Sequence, residues 1–313
     1  MSPSPTQPSS DNDSAYAESQ DVSSYTTSLA SSITAYKYEH GRRYHAYQEG
    51  RYILPNDEQE QERLDIQYHA LRLAFEDKPF LAPIDSPAAV LDVGTGTGIW
   101  AMDVADSYPN AEIIGTDLSP IQPIWVPPNV KFEVDDLELE WTFPTDHFDL
   151  IHTRILSGSI QHWKLFFQQS FRHCKPGGFL ECQELDVYAA TEDDSLSDDS
   201  AIRKWCANQE EAAQKMGRSL RVSGEDFKKQ MEDAGFQNVE VRKYKLPIGP
   251  WPLDPKLKEV GLFQLAAMLE GIDGLTLALW TRFLGWDDKE ITVFLQQVKS
   301  EFKRSSIHSY WPL

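Results

Sequence analysis

Residues Val90 to Trp100 read VLDVGTGTGIW, a short apolar run that ends in glycines at 94, 96 and 98 and passes into a stretch of helical character. Glycine at such a turn accepts positive φ, lets a ligand approach the backbone and brings it to the N-terminus of the following helix. A dinucleotide-binding turn requires G-x-G-x-x-G. Counted from Gly94, Gly96 satisfies that pattern, but the third glycine would fall at Ile99. The turn is instead G-x-G-x-G with Asp92 just ahead of it, a carboxylate near the positive end of a helix dipole. Further on, Asp117 and Leu118 close the next apolar run, about 20 residues away, where an acid can accept the two hydroxyls of a ribose. Asp135-Asp136-Leu137 follows a third run, and Lys175-Pro176-Gly177-Gly178 makes a turn ahead of a fifth. Residues of these types at this spacing can hold a nucleoside-bearing ligand.

These residues need strands to end where they stand. Apolar runs at Ala88–Val93, Ala111–Thr116, Val130–Val134, Phe148–His152 and Gly178–Glu184 alternate with helical patterns at Ile99–Ser107 and Trp163–His173. Strands alternating with helices imply right-handed βαβ crossovers and a mainly parallel α/β sheet. Ahead of them, Leu64, Tyr68, Leu71 and Phe75 share one face of a helix expected over Asn56–Phe75, opened by a capping box of Asn56 with Gln59. Behind them, helices are expected over Ala201–Met216, Ser223–Gly235, 255–285 and Asp287–Arg304, with a strand over Val239–Leu246 and the start of a last strand over Ser306–Leu313. Residues 1–30 are rich in Ser, Thr, Pro and Asp and poor in large aliphatics, the composition of a disordered tail. The organisation read from this is a tail at 1–30 and one domain at 31–313. Within that domain, a helical cap spans 31–80, a ligand-binding core 85–190, and lid helices 199–222 and 255–285.

The 313 residues carry a formal net charge of −20, which disfavours nucleic acid as a partner. No run approaches the roughly 20 apolar residues that cross a bilayer, so no membrane span is expected. The three cysteines, Cys174, Cys182 and Cys206, lie far from any CxxC spacing. No metal site is expected, and the odd count fits a reducing, cytoplasmic location.

Asp92 with the G-x-G-x-G turn, Asp117, the Asp135-Asp136 pair and the Pro-Gly-Gly turn together resemble class I S-adenosylmethionine-dependent methyltransferases. The resemblance narrows across GRRYHAYQEGRYILPNDEQEQERLDIQYHAL and FDLIHTRILSGSIQHW, roughly residues 35 to 250, to the fungal LaeA-like methyltransferases. It implies a Rossmann-like fold with a mainly parallel seven-stranded sheet, a short last strand and a helical cap or lid. It implies S-adenosyl-L-methionine as cofactor, held by Asp92, Gly94, Thr95, Gly96, Gly98, Asp117, Leu118, Asp135, Asp136, Leu137 and Tyr52. Asp92 would orient the methionine amino group, and Asp135 or Asp136 would lie near the adenine amine. Arg154, Gly158 and Trp163 fit the family pattern, whereas His162 stands where that pattern has an acid.

Methyl transfer from a sulfonium needs alignment and a dry pocket, and a base only when the acceptor must lose a proton. Ligands bind beyond the carboxyl ends of parallel strands, so His152, His162, Glu184 and Tyr188 are the candidates for acceptor chemistry. Tyr44, Tyr52 and Trp100 could wall the sulfonium. Two functions follow: methylation of an oxygen or nitrogen of a small secondary metabolite, or a LaeA-type regulatory role exerted through protein partners, with nuclear localisation as its counterpart.

Overall fold

In the computed structural model, which describes residues 35–48 and 52–313, a short hairpin of β1 (Lys37–Glu39) and β2 (Arg42–Tyr44) precedes helix α1 (Glu58–Ala74). The expected tail, and Arg51 of the tyrosine-rich stretch, lie outside the described residues. The helix starts one residue later than the sequence spacing suggests, because Asp57 is its cap. The Asp57 carboxylate accepts the Glu60 amide and is held by Arg42 at 2.6 and 2.7 Å. Asn56 is thereby freed, and its side chain reaches Ser119 Oγ at 3.1 Å.

Strands and helices then alternate: β3 (Ala89–Val93), α2 (Ile99–Ser107), β4 (Glu112–Asp117), β5 (Val130–Val134), β6 (Phe148–Arg154), α3 (Trp163–His173) and β7 (Cys174–Gln183). The five strands pair in parallel in the order β5-β4-β3-β6-β7. The order reverses between β3 and β6, which opens the crevice at which doubly wound sheets bind ligands. Successive residues of β3 face opposite layers: Val90 packs with Trp100, Val104 and Ile113, and Leu91 with Ile151, Phe166 and Trp141. Strand β7 begins immediately at Cys174, and not at Gly178. Residues 175–178 bulge out between the Phe148↔Cys174 and Leu150↔Phe179 pairings. A Cβ on Gly178 would stand 2.9 Å from the Phe148 carbonyl, so only glycine permits that approach.

The rest of the chain comprises α4 (Ala201–Lys215), α5 (Gly224–Ala234), β8 (Lys245–Pro247), α6 (Pro255–Phe283), α7 (Asp288–Phe302) and β9 (Tyr310–Pro312). The expected caps at Ser223 and Gly235 are present on α5. Among the described residues the main sheet has five strands, and not the seven expected. Strands β8 and β9 make a separate antiparallel pair, three residues long, tied to the segment after β7 by Asp186 N donating to Pro312 O at 2.9 Å and by the Ala190–Tyr310 bridge. Pro247 and Pro312 bring no amide donors to a ladder, and the expected strand from Val239 condenses to Lys245–Pro247.

Contrary to the reading that no run approaches a membrane-spanning length, α6 is long and apolar enough to cross a bilayer by length and composition. Half of its most apolar stretch is buried within the protein, against α1, α4, α7 and β8. It is the central helix of the layer that also contains Trp205, Trp280 and Leu295.

Candidate functional site

Gly94 and Gly96 adopt φ of 71° and 59°, and the Gly94 and Thr95 amides both donate to Thr116 O at 2.9 Å, which folds the turn back over β4. A Cβ on Gly94 would meet Leu156 at 2.5 Å; on Gly96 it would clash with nothing, its nearest neighbour being Leu64 at an ordinary contact distance of 3.6 Å. Gly96 is therefore where a ligand can approach the backbone. Thr97 Oγ1 donates to Asp65 on α1 at 2.6 Å, and Gln122 Nε2 donates to Gly96 O at 2.6 Å.

Asp92 is buried at the end of β3. Its carboxylate accepts Thr95 Oγ1 at 2.6 Å and lies 2.8 Å from His152 Nδ1 on the neighbouring strand. The His152 ring stacks on Trp100, centroids 3.7 Å apart and planes nearly parallel, and Trp100 Nε1 donates to Pro79 O. Asp117 accepts the Gly96 amide on one oxygen and the Ser119 amide on the other, both at 2.9 Å. Burial pushes its pKa up to about 6 against the lowering effect of those two amides. At the end of β6, Arg154 Nε donates to Gln183 Oε1 at 2.8 Å, the guanidinium lies over the Tyr68 ring, and burial pulls its pKa down to about 10.

One cleft of about 250 Å³ runs past these groups. Of the site candidates singled out in the sequence it is lined by Tyr52, Asp92, Gly94, Thr95, Gly96, Trp100, Asp117, Leu118, Asp135, Leu137, His152, Arg154 and Gly158. Tyr52 is held neutral there by burial, its pKa well above the usual phenol value. Its further wall comes from α4, α6 and the chain ends, with Trp205, Ala213, Met216, Met268, Leu275 and Leu279. Polar side chains on that wall are satisfied internally: Gln209 bonds Leu275 O and Trp280 Nε1, and Trp205 Nε1 bonds Thr276 Oγ1.

Four residues expected at the site stand elsewhere. Gly98 is the N-cap of α2, and a side chain there would strike Phe132. Asp136 turns inward and caps the Glu138 amide at 3.0 Å. His162 is an exposed N-cap of α3, outside the cleft. Glu184 lies behind the cleft wall, accepting the Leu156 and Ser157 amides at 3.1 and 2.9 Å, with burial raising its pKa to about 7. Two aromatic candidates also turn away: Tyr44 packs beneath Arg282, and Tyr188 lies between Arg203 and Arg221. Sequence reasoning assigned Asn56 only a helix-capping role and Gln67 and Leu220 none, yet all three line the cleft.

A doubly wound sheet with a glycine turn after one strand and carboxylates after the next two defines the class I methyltransferase architecture. A family model described as a methyltransferase domain matches residues 64–241, and the chain belongs to that family. Membership makes it an S-adenosylmethionine-dependent methyltransferase, the activity its sequence resemblance implies. It is 42% identical over 295 residues to methyltransferase pytC of Aspergillus terreus, covering 94% of this chain and 90% of that one. It is 37% identical to the secondary metabolism regulator laeA of Aspergillus flavus, over 87% of this chain and 74% of that one. It is also 37% identical to the protein-methionine methyltransferase laeA of Emericella nidulans, over 87% of this chain and 73% of that one.

Proposed function

We propose that the cleft holds S-adenosylmethionine across the carboxyl ends of β3, β4 and β5 and that the methyl group passes to an oxygen or nitrogen of a small, largely apolar metabolite. The observation that carries this reading is the continuity of one cleft from carboxylates at the strand ends to an apolar wall on α4 and α6. The charge and shape of the strand ends fit the donor. Asp92, oriented by His152 and Thr95, suits the methionyl ammonium, and the open backbone at Gly96 suits close approach. Asp117 suits the ribose hydroxyls, and Asp135 with Leu137 suits the adenine. Tyr52 closes the cleft from the segment before α1.

When bound, S-adenosylmethionine supplies an electrophilic methyl on a sulfonium. The chain's own part is alignment and exclusion of water. The wall on α4 and α6 presents no acid and no histidine, so no side chain of that wall acts as base. His152, stacked under Trp100 and bonded to Asp92, is a positioning residue on this reading. The location that fits such an activity is cytoplasmic.

A second reading, regulation through a protein partner with a nuclear location, is favoured by Ile124 and Trp125. These adjacent side chains are 94% and 92% exposed on the loop between β4 and β5. Incubating the full chain with methyl-labelled S-adenosylmethionine and fungal extract separates the two. The metabolite reading expects label in the organic-soluble small-molecule fraction. Label confined to protein overturns it in favour of the second, and label in neither fraction overturns methyl transfer to both kinds of acceptor.

A further inference from the structure

We infer that Arg154 is the anchor for a ligand carboxylate, the one at the methionyl end of S-adenosylmethionine; this rests on reading the cleft as the donor site. Arg154 ends β6, one residue beyond Thr153, which pairs with Val93 of β3, so it stands level with Gly94 at the start of the glycine turn. Its guanidinium lines the cleft and lies 5.1 Å from the centroid of the Tyr68 ring. Nε is used by Gln183, which is itself fixed by Glu181 at 2.6 Å. Nη2 is buried without a hydrogen-bond partner, and among the described residues no carboxylate forms an ion pair with Arg154.

A buried cation without a counter-ion is costly, and removing one partner of a buried pair is more destabilising than never having built it. The other arginine lining the cleft, Arg63, shows the ordinary solution, a bidentate pair with Glu60 at 2.7 and 3.0 Å. Arg154 has the orientation for a fork (Nε tied back, the other two nitrogens left over) but not the anion. Glu181, the nearest acid through Gln183, is consumed by the Leu81 and Ala82 amides at 2.7 Å each.

The charge pattern of the cleft gives the ligand's polarity. Asp92, Asp117 and Asp135 line it without an arginine or lysine partner, and Arg154 alone answers them. A ligand that complements this carries an ammonium and neutral hydrogen-bond donors along the carboxylates and one anion beside the glycine turn. S-adenosylmethionine has a sulfonium and an ammonium, and its only anion is the carboxylate next to that ammonium. Because the ammonium belongs near Asp92, the carboxylate falls on the β6 side, where planar recognition by arginine is strongest.

Calorimetry on the full chain tests this with two ligands, S-adenosylhomocysteine and its decarboxylated counterpart S-adenosyl-3-thiopropylamine, which keeps the amine and lacks only the carboxylate. The unsubstituted protein is expected to prefer S-adenosylhomocysteine by about tenfold or more. Arg154→Met should erase that preference, lowering affinity for S-adenosylhomocysteine by about tenfold or more while leaving the decarboxylated ligand within about twofold. Arg154→Lys, which keeps the charge and loses the fork, should fall between. Ligand-free Arg154→Met should melt no lower than the unsubstituted protein, since an unpaired buried charge has been removed. Equal loss for both ligands, or no loss for either, overturns the assignment, as it would if the acceptor's carboxylate were the one held. Failure of the unsubstituted protein to bind either ligand overturns the donor-site reading itself.

Discussion

Asp117 joins two parts of the site: it clamps the glycine turn through the Gly96 amide and the following loop through Ser119, and it still faces the cleft. Its raised pKa has a definite sign. Between the usual carboxylate value and about 6 the folded protein holds a proton that the unfolded chain has released, so this group's contribution to stability falls as pH rises through that window. Glu184 acts in the same direction up to about 7, for the same reason of burial. Ligand binding runs the other way, because ribose hydroxyls need the ionised acid as acceptor. Affinity for S-adenosylhomocysteine should therefore rise as pH increases through about 6 and level off above it. Asp117→Asn should flatten that rise and cost about tenfold in affinity at pH 7.5, the loss of one charged hydrogen-bond acceptor. Calorimetry between pH 5 and 8 reads both. An Asn variant that keeps the full pH dependence would assign the titration to another group.

At the scale of elements, the cap is held to the core by the crossing of α1 and α6. Gly271 faces the Arg63 side chain so closely that a Cβ there would overlap its Cδ, and Gly274 likewise faces Arg42. Gly271→Leu should destabilise the protein by about 1–3 kcal/mol through overpacking. It should also weaken cofactor binding, because Arg63, Leu64 and Gln67 line the cleft on the displaced helix. Urea unfolding and calorimetry together check it, and unchanged stability would mean that α1 shifts freely on α6. Sequence periodicity located both helices but not this crossing. The hydrophobic face of α1 was visible in Leu64, Tyr68 and Leu71, whereas the pairing of a glycine with an arginine on another helix has no local signature. The same limit explains the caps: Ser223 and Gly235 are read correctly because they act within their own helix, and Asn56 is misread because its partner, Ser119, is distant in sequence.

For the whole molecule, the parallel sheet and its switch point were legible because each βαβ unit writes its own alternation, and carboxylates at strand ends follow from where strands stop. The seven-strand expectation failed at the far edge. There, three-residue strands containing Pro247 and Pro312 pair with each other and are tied, through Asp186 and Ala190, to the segment after β7. His162 and Glu184 sat at plausible distances along the chain but turned outward and behind the wall, which depends on loop geometry that spacing does not encode. At the far end of the cleft the signal is composition alone, and it says apolar. On this reading the strand-end carboxylates and the backbone at Gly96 form a methyl-donor site and not a dinucleotide site. Calorimetric titration of the full chain with S-adenosylmethionine and, separately, with NADH tests it most directly, with Gly96→Leu as the matched variant. A methyl-donor site should bind S-adenosylmethionine, lose that binding in Gly96→Leu and bind no NADH; tight binding of NADH without S-adenosylmethionine, or full affinity in the Gly96 variant, would overturn it.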